Sequence, residues 1–123
     1  MPSNETLAER PLPQRVVLLG LAHFDRTDAD PAHTGEIVRA CAGPLEAADG
    51  RIVGRLGEAE VSRALNSLEA GGLVEMENTR EASPVGKGRP AYRLALSPET
   101  VAAAAREDDE VAPLFERFAA EWD

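Results

Sequence analysis

Residues 58–80 read EAEVSRALNSLEAGGLVEMENTR, and this stretch decides the fold. Its apolar residues recur at i, i+4 and i+7, the spacing that places side chains on one face of a helix: Val61, Leu65 and Leu68. The pattern predicts a helix over 58–70 that ends at the glycine pair 71–72. A strand is predicted over 73–76, so the chain passes from a helix into a strand through a two-glycine turn.

A second strand is predicted over 91–96, where larger apolar residues alternate with Arg93 and Ala95. The intervening residues 77–90 are polar and rich in Gly and Pro, so the two strands form a hairpin with a long tip. Ser97 followed by Pro98 then predicts a helix start, because a capping hydroxyl precedes a residue suited to the first turn. This last helix has a predicted break or restart at Pro113.

Two further helices are predicted before this region. Residues 12–24 are apolar on nearly every side, which indicates a helix buried on more than one face and suggests a partner chain. Residues 25–33 form a turn-rich loop, and Thr34 then caps a helix that runs to about Ala42. Gly43 and Pro44 are expected to interrupt that helix.

The order of elements is therefore helix, helix, helix, two-stranded hairpin and helix. This order predicts an α+β chain that is mainly α with a small β-hairpin. Three parts follow from it: an N-terminal arm over 1–11, one compact domain over 12–96, and a C-terminal helix over 97–123. A length of 123 residues suffices for a hydrophobic core without disulfides, and the single cysteine excludes an intrachain disulfide.

Residues 12–96 resemble the PadR-like and wider MarR/ArsR-like winged helix-turn-helix transcription regulators. The resemblance is carried by the apolar spacing of 58–70, the turn GGL at 71–73, the HTGEIV opening at 33–38 and the RPAYRL segment at 89–94. The acidic, lysine-poor version of the pattern resembles haloarchaeal members, among them the RosR type linked to oxidative response. The resemblance implies a recognition helix at 58–70, a wing at 79–90 and a dimerisation helix at the C terminus.

Charge is distributed unevenly along the chain. The net charge is −9, and Lys87 is the only lysine among 13 basic residues. An acidic excess without lysine is typical of a cytoplasm at molar salt, whereas a GC-rich genome explains only the preference for Arg. The total argues against a nucleic-acid partner. However, residues 51–96 hold 7 basic and 6 acidic groups, so the proposed DNA-binding region is the one non-negative part.

Candidate DNA-binding residues lie on the helix 58–70 and in the hairpin. On the helix they are the residues away from the apolar stripe: Ala59, Ser62, Arg63 and Asn66. Arg binds guanine and Asn binds adenine through paired hydrogen bonds. Around the helix, the basic candidates for phosphate are Arg51, Arg55, Lys87, Arg89 and Arg93. The alternative is an ordinary solvated surface, and Glu58 and Glu60 count against DNA.

A homodimer is predicted because one small domain is not expected to bury all of the apolar residues in its first and last helices. In the C-terminal helix they are Val111, Leu114, Phe115, Phe118 and Trp122. In the first helix they are Leu12, Val16 and Leu19. A two-fold dimer would place two recognition helices about 34 Å apart. The alternative is that these residues pack within one chain.

Other residues indicate no chemistry. Cys41 is interpreted as a small buried hydrophobe rather than a redox sensor. His23 and His33 lie near three aspartates, but their spacing matches no metal site, and the GKG at 86–88 lacks the spacing of a phosphate-binding loop. We therefore expect no enzyme, no metal and no cofactor. The polar N-terminal residues and the lack of a long apolar run predict a cytoplasmic protein without a membrane partner.

The sequence thus predicts a homodimeric regulator that binds double-stranded DNA, with the recognition helix in the major groove and the wing on phosphates or the minor groove. Because acids flank this region, bound cations from a salty cytoplasm are expected partners. The alternative is a winged-helix module of the transcription machinery that binds another protein.

Overall fold

The computed structural model describes residues 7, 9–29, 31–47, 57–78, 90–120 and 122. Within them there are five helices and a three-stranded antiparallel sheet. The helices are α1 (Leu12–Arg26), α2 (Thr34–Ala47), α3 (Glu58–Ala70), α4 (Pro98–Arg106) and α5 (Ala112–Ala119). The strands are β1 (Ala32–His33), β2 (Val74–Asn78) and β3 (Pro90–Leu94). The predicted α+β class is confirmed.

Helix α3 has the predicted ends, and both are explained by hydrogen bonds. At its start, the Glu60 carboxylate accepts the backbone N–H of Gly57 at 3.1 Å. At its end, the N–H groups of Gly72 and Leu73 donate to the carbonyls of Glu69 and Leu68 at 3.0 and 2.9 Å. These two bonds define a Schellman turn, which needs a left-handed residue. Gly72 supplies it with a φ of 81°.

The sheet is larger than the predicted hairpin. Its strand order is β1-β3-β2, and β2 pairs with β3 from Val74 opposite Leu94 to Asn78 opposite Pro90. The predicted strand ends were wrong by one or two residues, because the ladder extends towards the tip to Asn78 and Pro90. At the other end it stops at Val74 and Leu94, beyond which the Ala95 N–H donates to the Leu73 carbonyl at 2.9 Å. Strand β1 was not predicted, since two residues cannot show an alternating pattern. It pairs Ala32 and His33 with β3 and closes the sheet on that side.

Helix α2 corrects a second expectation. It runs through Gly43 and Pro44 to Ala47 instead of ending at about Ala42. A proline removes one backbone hydrogen bond from a helix, but the earlier turns of α2 are held by packing. Ile37 and Cys41 are fully buried, and both side chains lie against Gly20 of α1. Burial raises the pKa of the Cys41 thiol to about 12, so this cysteine is an unreactive core residue at neutral pH.

Helix α1 is the centre of the fold. Every residue from Val16 to Ala22 is buried, and α1 packs against α2, α3, β3, α4 and α5. The sequence was therefore right that α1 is covered on several sides. The partner chain that the sequence suggested is not needed to cover α1, because other elements of the same chain cover it.

The predicted C-terminal helix is two helices. The Ser97 hydroxyl accepts the Thr100 N–H at 3.2 Å and starts α4, which ends at Arg106. Helix α5 begins at Ala112, so the break precedes Pro113. The guanidinium of Arg15 in α1 binds the carboxylates of Asp108 and Glu110 at 2.7 and 2.8 Å. These two ion pairs fasten the connection between α4 and α5 to α1.

The apolar residues expected at a dimer interface are instead in the core of one chain. Six of these residues are 8% exposed or less: Val16, Leu19, Val111, Leu114, Phe115 and Phe118. Leu12 and Trp122 are partly buried against them. The indole N–H of Trp122 donates to His23 Nδ1 at 3.0 Å. These residues therefore pack within one chain, which was the alternative to a dimer interface. Helix α5 completes the domain around α1.

The N-terminal arm is also partly packed. Leu7 is 3% exposed and belongs to the core, and its carbonyl accepts the N–H of Arg10 at 3.1 Å. The expectation of a ragged arm over 1–11 was therefore wrong for Leu7 and Arg10. Of its other residues, 1–6 and 8 lie outside the described part of the chain.

Candidate nucleic-acid interface

The outward face of α3 carries the predicted base-reading residues. Ala59, Ser62, Arg63 and Asn66 are all exposed, whereas Val61, Ala64, Leu65 and Leu68 are buried. Ala59, Arg63 and Asn66 recur at i, i+4 and i+7, so they share one stripe that continues to the exposed Ala70. This outward stripe contains no acidic residue. The acids of α3 lie on its flanks, at Glu58, Glu60 and Glu69.

Arg63 is the charged group at the middle of the stripe. Its side chain is 73% exposed, and its closest carboxylate oxygen, in Glu60, is 3.9 Å away. An exposed pair one helical turn apart contributes about 0.5 kcal/mol or less. The Glu60 carboxylate also binds the Gly57 N–H at the start of the helix. Arg63 is therefore weakly held and can reach a ligand in front of α3.

The N-terminal end of α3 faces a polar cavity of about 450 Å³ between α2, α3 and β3. Its lining residues are His33, Thr34, Gly35, Glu36, Arg39, Glu58 and Pro90. The Arg39 guanidinium and the Glu58 carboxylate both lie beside Gly35. His33 Nδ1 is 3.3 Å from the carbonyl oxygen of Pro90, the first residue of β3. This cavity joins the recognition-helix candidate to the base of the predicted wing.

Arg39 is a candidate residue that the sequence reasoning missed. It is exposed on α2, and no carboxylate among the described residues lies within 4.0 Å of it. Arg39 is far along the chain from residues 58–70, so the sequence did not indicate that it lines the same cavity as Glu58. The HTGEIV opening, which starts α2 next to α3, is the signal that could have indicated it.

The hairpin contributes less than expected within the described residues. Of its predicted basic residues, Arg93 is described, whereas Lys87 and Arg89 lie outside the described part, as do Arg51 and Arg55. Arg93 Nε is 2.9 Å from the Glu77 carboxylate in the neighbouring strand. The two groups are close enough for an ion pair but are not aligned as a hydrogen bond. Because Glu77 neutralises Arg93, this arginine is a weaker phosphate ligand than the sequence suggested.

Neither histidine nor Cys41 forms a second site. His23 accepts the Trp122 hydrogen bond and lies among aromatic rings, with the Phe118 ring centre 5.1 Å away. In the ranges that the structure describes, no group of three or more His, Cys, Asp or Glu could hold a metal ion. Tyr92 is buried in the sheet, where burial and then the charge of Glu69 raise its pKa.

No protein-family model matches the chain, and no similar curated protein or solved structure was found. No helix in the described residues is long and apolar enough to span a bilayer. The interpretation of the site therefore depends on the geometry of α3 and its surroundings.

Proposed function

We propose that the protein is a sequence-specific, homodimeric transcription regulator with a winged helix-turn-helix fold, in which α3 enters the major groove of double-stranded DNA. The observation that carries the proposal is the outward stripe of α3, which holds Arg63 and Asn66 and no acid. An α-helix with its side chains is about 10–12 Å across and fits the major groove, which is about 12 Å wide, and the 13 residues of α3 give it a length of about 20 Å. Arg63 suits guanine and Asn66 suits adenine.

The arrangement of the other elements supports the same proposal. The chain runs helix, strand, helix, helix, strand, strand, and β1 pairs with β3 beside the start of α2. This order supports the proposed winged helix, in which residues 79–89 would form the wing. Arg39 is placed to contact a phosphate at the N-terminal end of α3, where the proposed groove contact begins.

The proposed dimer needs an interface other than the predicted apolar residues. Those side chains are buried within one chain, so a two-fold contact must use exposed surface. What supports a dimer is the resemblance to dimeric regulators. The geometric consequence is unchanged: two copies of α3 would read half-sites about one helical turn apart.

Selection of bound duplexes from fragmented genomic DNA, with purified full-length protein in molar KCl, tests the proposed function. We expect enrichment of a pseudo-palindrome whose half-sites are about 10 base pairs apart, centre to centre. Light scattering on the same preparation reports the oligomeric state. Folded protein that enriches no sequence would contradict the proposal.

A protein-interaction module of the transcription machinery is the second candidate. It is favoured by the net charge of −9 and by the exposed acids that flank the site, Glu58, Glu60, Glu69, Glu75 and Glu77. These carboxylates would attract a basic protein surface and repel phosphate. Duplex selection without enrichment, together with a folded protein, would move the assignment to this candidate.

The flanking acids also predict an unusual salt dependence. Ordinary DNA-binding proteins release counterions, and their affinity falls steeply as salt rises. Here, cations must lie between the flanking carboxylates and the phosphates, so binding takes up cations as well as releasing them. We expect the affinity for the selected duplex to change less than about tenfold between 0.2 and 2 M KCl. A titration by fluorescence anisotropy measures this, and a steep loss of affinity would contradict cation uptake.

A further inference from the structure

A second groove, with both polar and apolar lining residues, lies on the other flank of α3, between this helix and the start of α1. It has a volume of about 200 Å³. Its α3 wall consists of Glu60, Arg63, Ala64 and Ser67, and its α1 wall of Pro11, Pro13 and Gln14. Arg63, Ser67 and Gly71 follow one another at i, i+4 and i+8, so they line the same edge of α3. The groove is therefore continuous with the outward stripe through Arg63.

Arg10 lies next to this groove, at the C-terminal end of α3. Its guanidinium donates to the Gln14 side-chain oxygen at 3.3 Å and occupies the space that a Cβ on Gly71 would take. The backbone of Arg10 is held at both ends, since its N–H donates to Leu7 and its carbonyl accepts Arg15 Nε at 2.8 Å. Arg10 is thus a cation on a supported backbone, placed beside the last turn of α3.

The charge of Arg10 is not neutralised within the described residues. Three other arginines have a carboxylate oxygen within about 3.1 Å: Arg15, Arg26 and Arg93. Arg10 has an amide oxygen and the end of a helix instead, and a cation there complements the helix dipole. Arg39 likewise has no carboxylate oxygen within 4.0 Å among the described residues, but it lies near the opposite end of α3. Arg10, beside Gly71, lies about 12 Å from Arg63 along the helix axis.

We propose that this groove binds the phosphate backbone of the DNA strand that passes the α1 side of α3, with Arg10 as the phosphate-binding cation. Gln14 and Ser67 supply neutral hydrogen-bond donors between the two arginines. Glu60 opposes a phosphate at the other end, but its carboxylate is engaged by the Gly57 N–H. The inference rests on the proposed function, and it adds a contact that anchors α3 at its C-terminal end.

Arg10→Gln tests the proposal in the full-length protein. A phosphate contact carries no sequence information, so affinity should fall about tenfold for the selected duplex and for a shuffled duplex alike. The slope of log affinity against log salt should change by about one unit. Arg106→Gln is the matched control, because it removes the same charge from an exposed site on α4, which packs on α1 and α5. The control should bind like the wild type.

Ser67→Lys is a second variant, and its result does not depend on whether Arg10→Gln folds. Ser67 is exposed, and lysine is compatible with a helix, so the change adds a cation to the groove without disturbing the core. Affinity for both duplexes should rise about threefold or more in 0.2 M KCl. Wild-type affinity in both variants would overturn the groove assignment while leaving duplex binding intact. A changed sequence preference in Arg10→Gln would also overturn it, because that result indicates that Arg10 only orients α3. Failure of the wild type to bind any duplex would instead contradict the proposed function.

Discussion

Arg63→Glu is expected to abolish sequence-specific duplex binding, with a loss of affinity of at least about 100-fold. A paired contact from arginine to guanine contributes about 1–3 kcal/mol of discrimination, and the new carboxylate adds repulsion from phosphates. The outward stripe of α3 carries no acid, so this substitution places the first negative charge where the base edges would lie. Fluorescence anisotropy with the selected duplex and a shuffled duplex in molar KCl measures both affinity and specificity.

The control for this experiment is Arg106→Glu, which makes the same charge reversal on α4. Its affinity should stay within about twofold of the wild type, because charges beyond a few ångströms are screened at molar salt. The Arg63 side chain is 73% exposed, and its ion pair with Glu60 is 3.9 Å long, so the unfolding free energy of Arg63→Glu should change by less than about 0.5 kcal/mol. If a folded Arg63→Glu variant kept wild-type specificity, α3 would not be the recognition helix.

The sequence predicted the elements whose signals are local and repeated. The ends of α3 were right because an i, i+4, i+7 stripe stops at a glycine pair, and Gly72 indeed takes the left-handed conformation. The exposure of Arg63 and Asn66 follows from the same helical period. Strand β1 was missed because Ala32 and His33 gain their pairing from β3, at residues that lie 60 and 58 positions later in the chain.

The parts of the site that were missed come from elsewhere in the chain. Arg10 lies beside Gly71, and Arg39 lines the same cavity as Glu58, only because α1 and α2 pack on either side of α3. No spacing within one segment could reveal either placement. Arg93 shows the reverse case, since its place in a basic run suggested a phosphate ligand, whereas Glu77, diagonally across from it on β2, has a carboxylate oxygen 2.9 Å from its Nε. Pairing across a sheet decides which charges are neutralised, and composition does not.

The C-terminal stripe shows a further limit. Its apolar spacing was identified correctly, but spacing does not say which surface covers it. Phe118 packs against His23 of α1, whose own residues are apolar on nearly all sides, and Leu114 is buried in the same core. Two elements that each lack cover were both assigned to a partner chain, although they cover each other. Whether α5 belongs to the core of one chain or to a dimer interface can therefore be measured.

Phe118→Ala is expected to destabilise the folded chain by about 3–5 kcal/mol, the usual cost of removing a buried phenyl ring from a core. Phe118 is 2% exposed within one chain, and its ring lies 5.1 Å from that of His23 in α1. Urea unfolding at several protein concentrations measures the loss. Met76→Ala is the control, because Met76 is 42% exposed on β2 and its truncation should cost less than about 1 kcal/mol.

The oligomeric state of the folded Phe118→Ala variant separates a core role from an interface role. If α5 belongs to the core, light scattering below the unfolding transition should give the wild-type mass, because the ring removed is inside one chain. If α5 instead forms the two-fold interface, the variant should dissociate into folded monomers, with little loss of stability per chain. Dissociation of that kind would contradict the burial of Phe118 by α1. If the mass is unchanged and the unfolding free energy falls by several kcal/mol, the proposed dimer must form through exposed surface. The role of α5 would then be to stabilise the position of α1 and, through α1, that of α3.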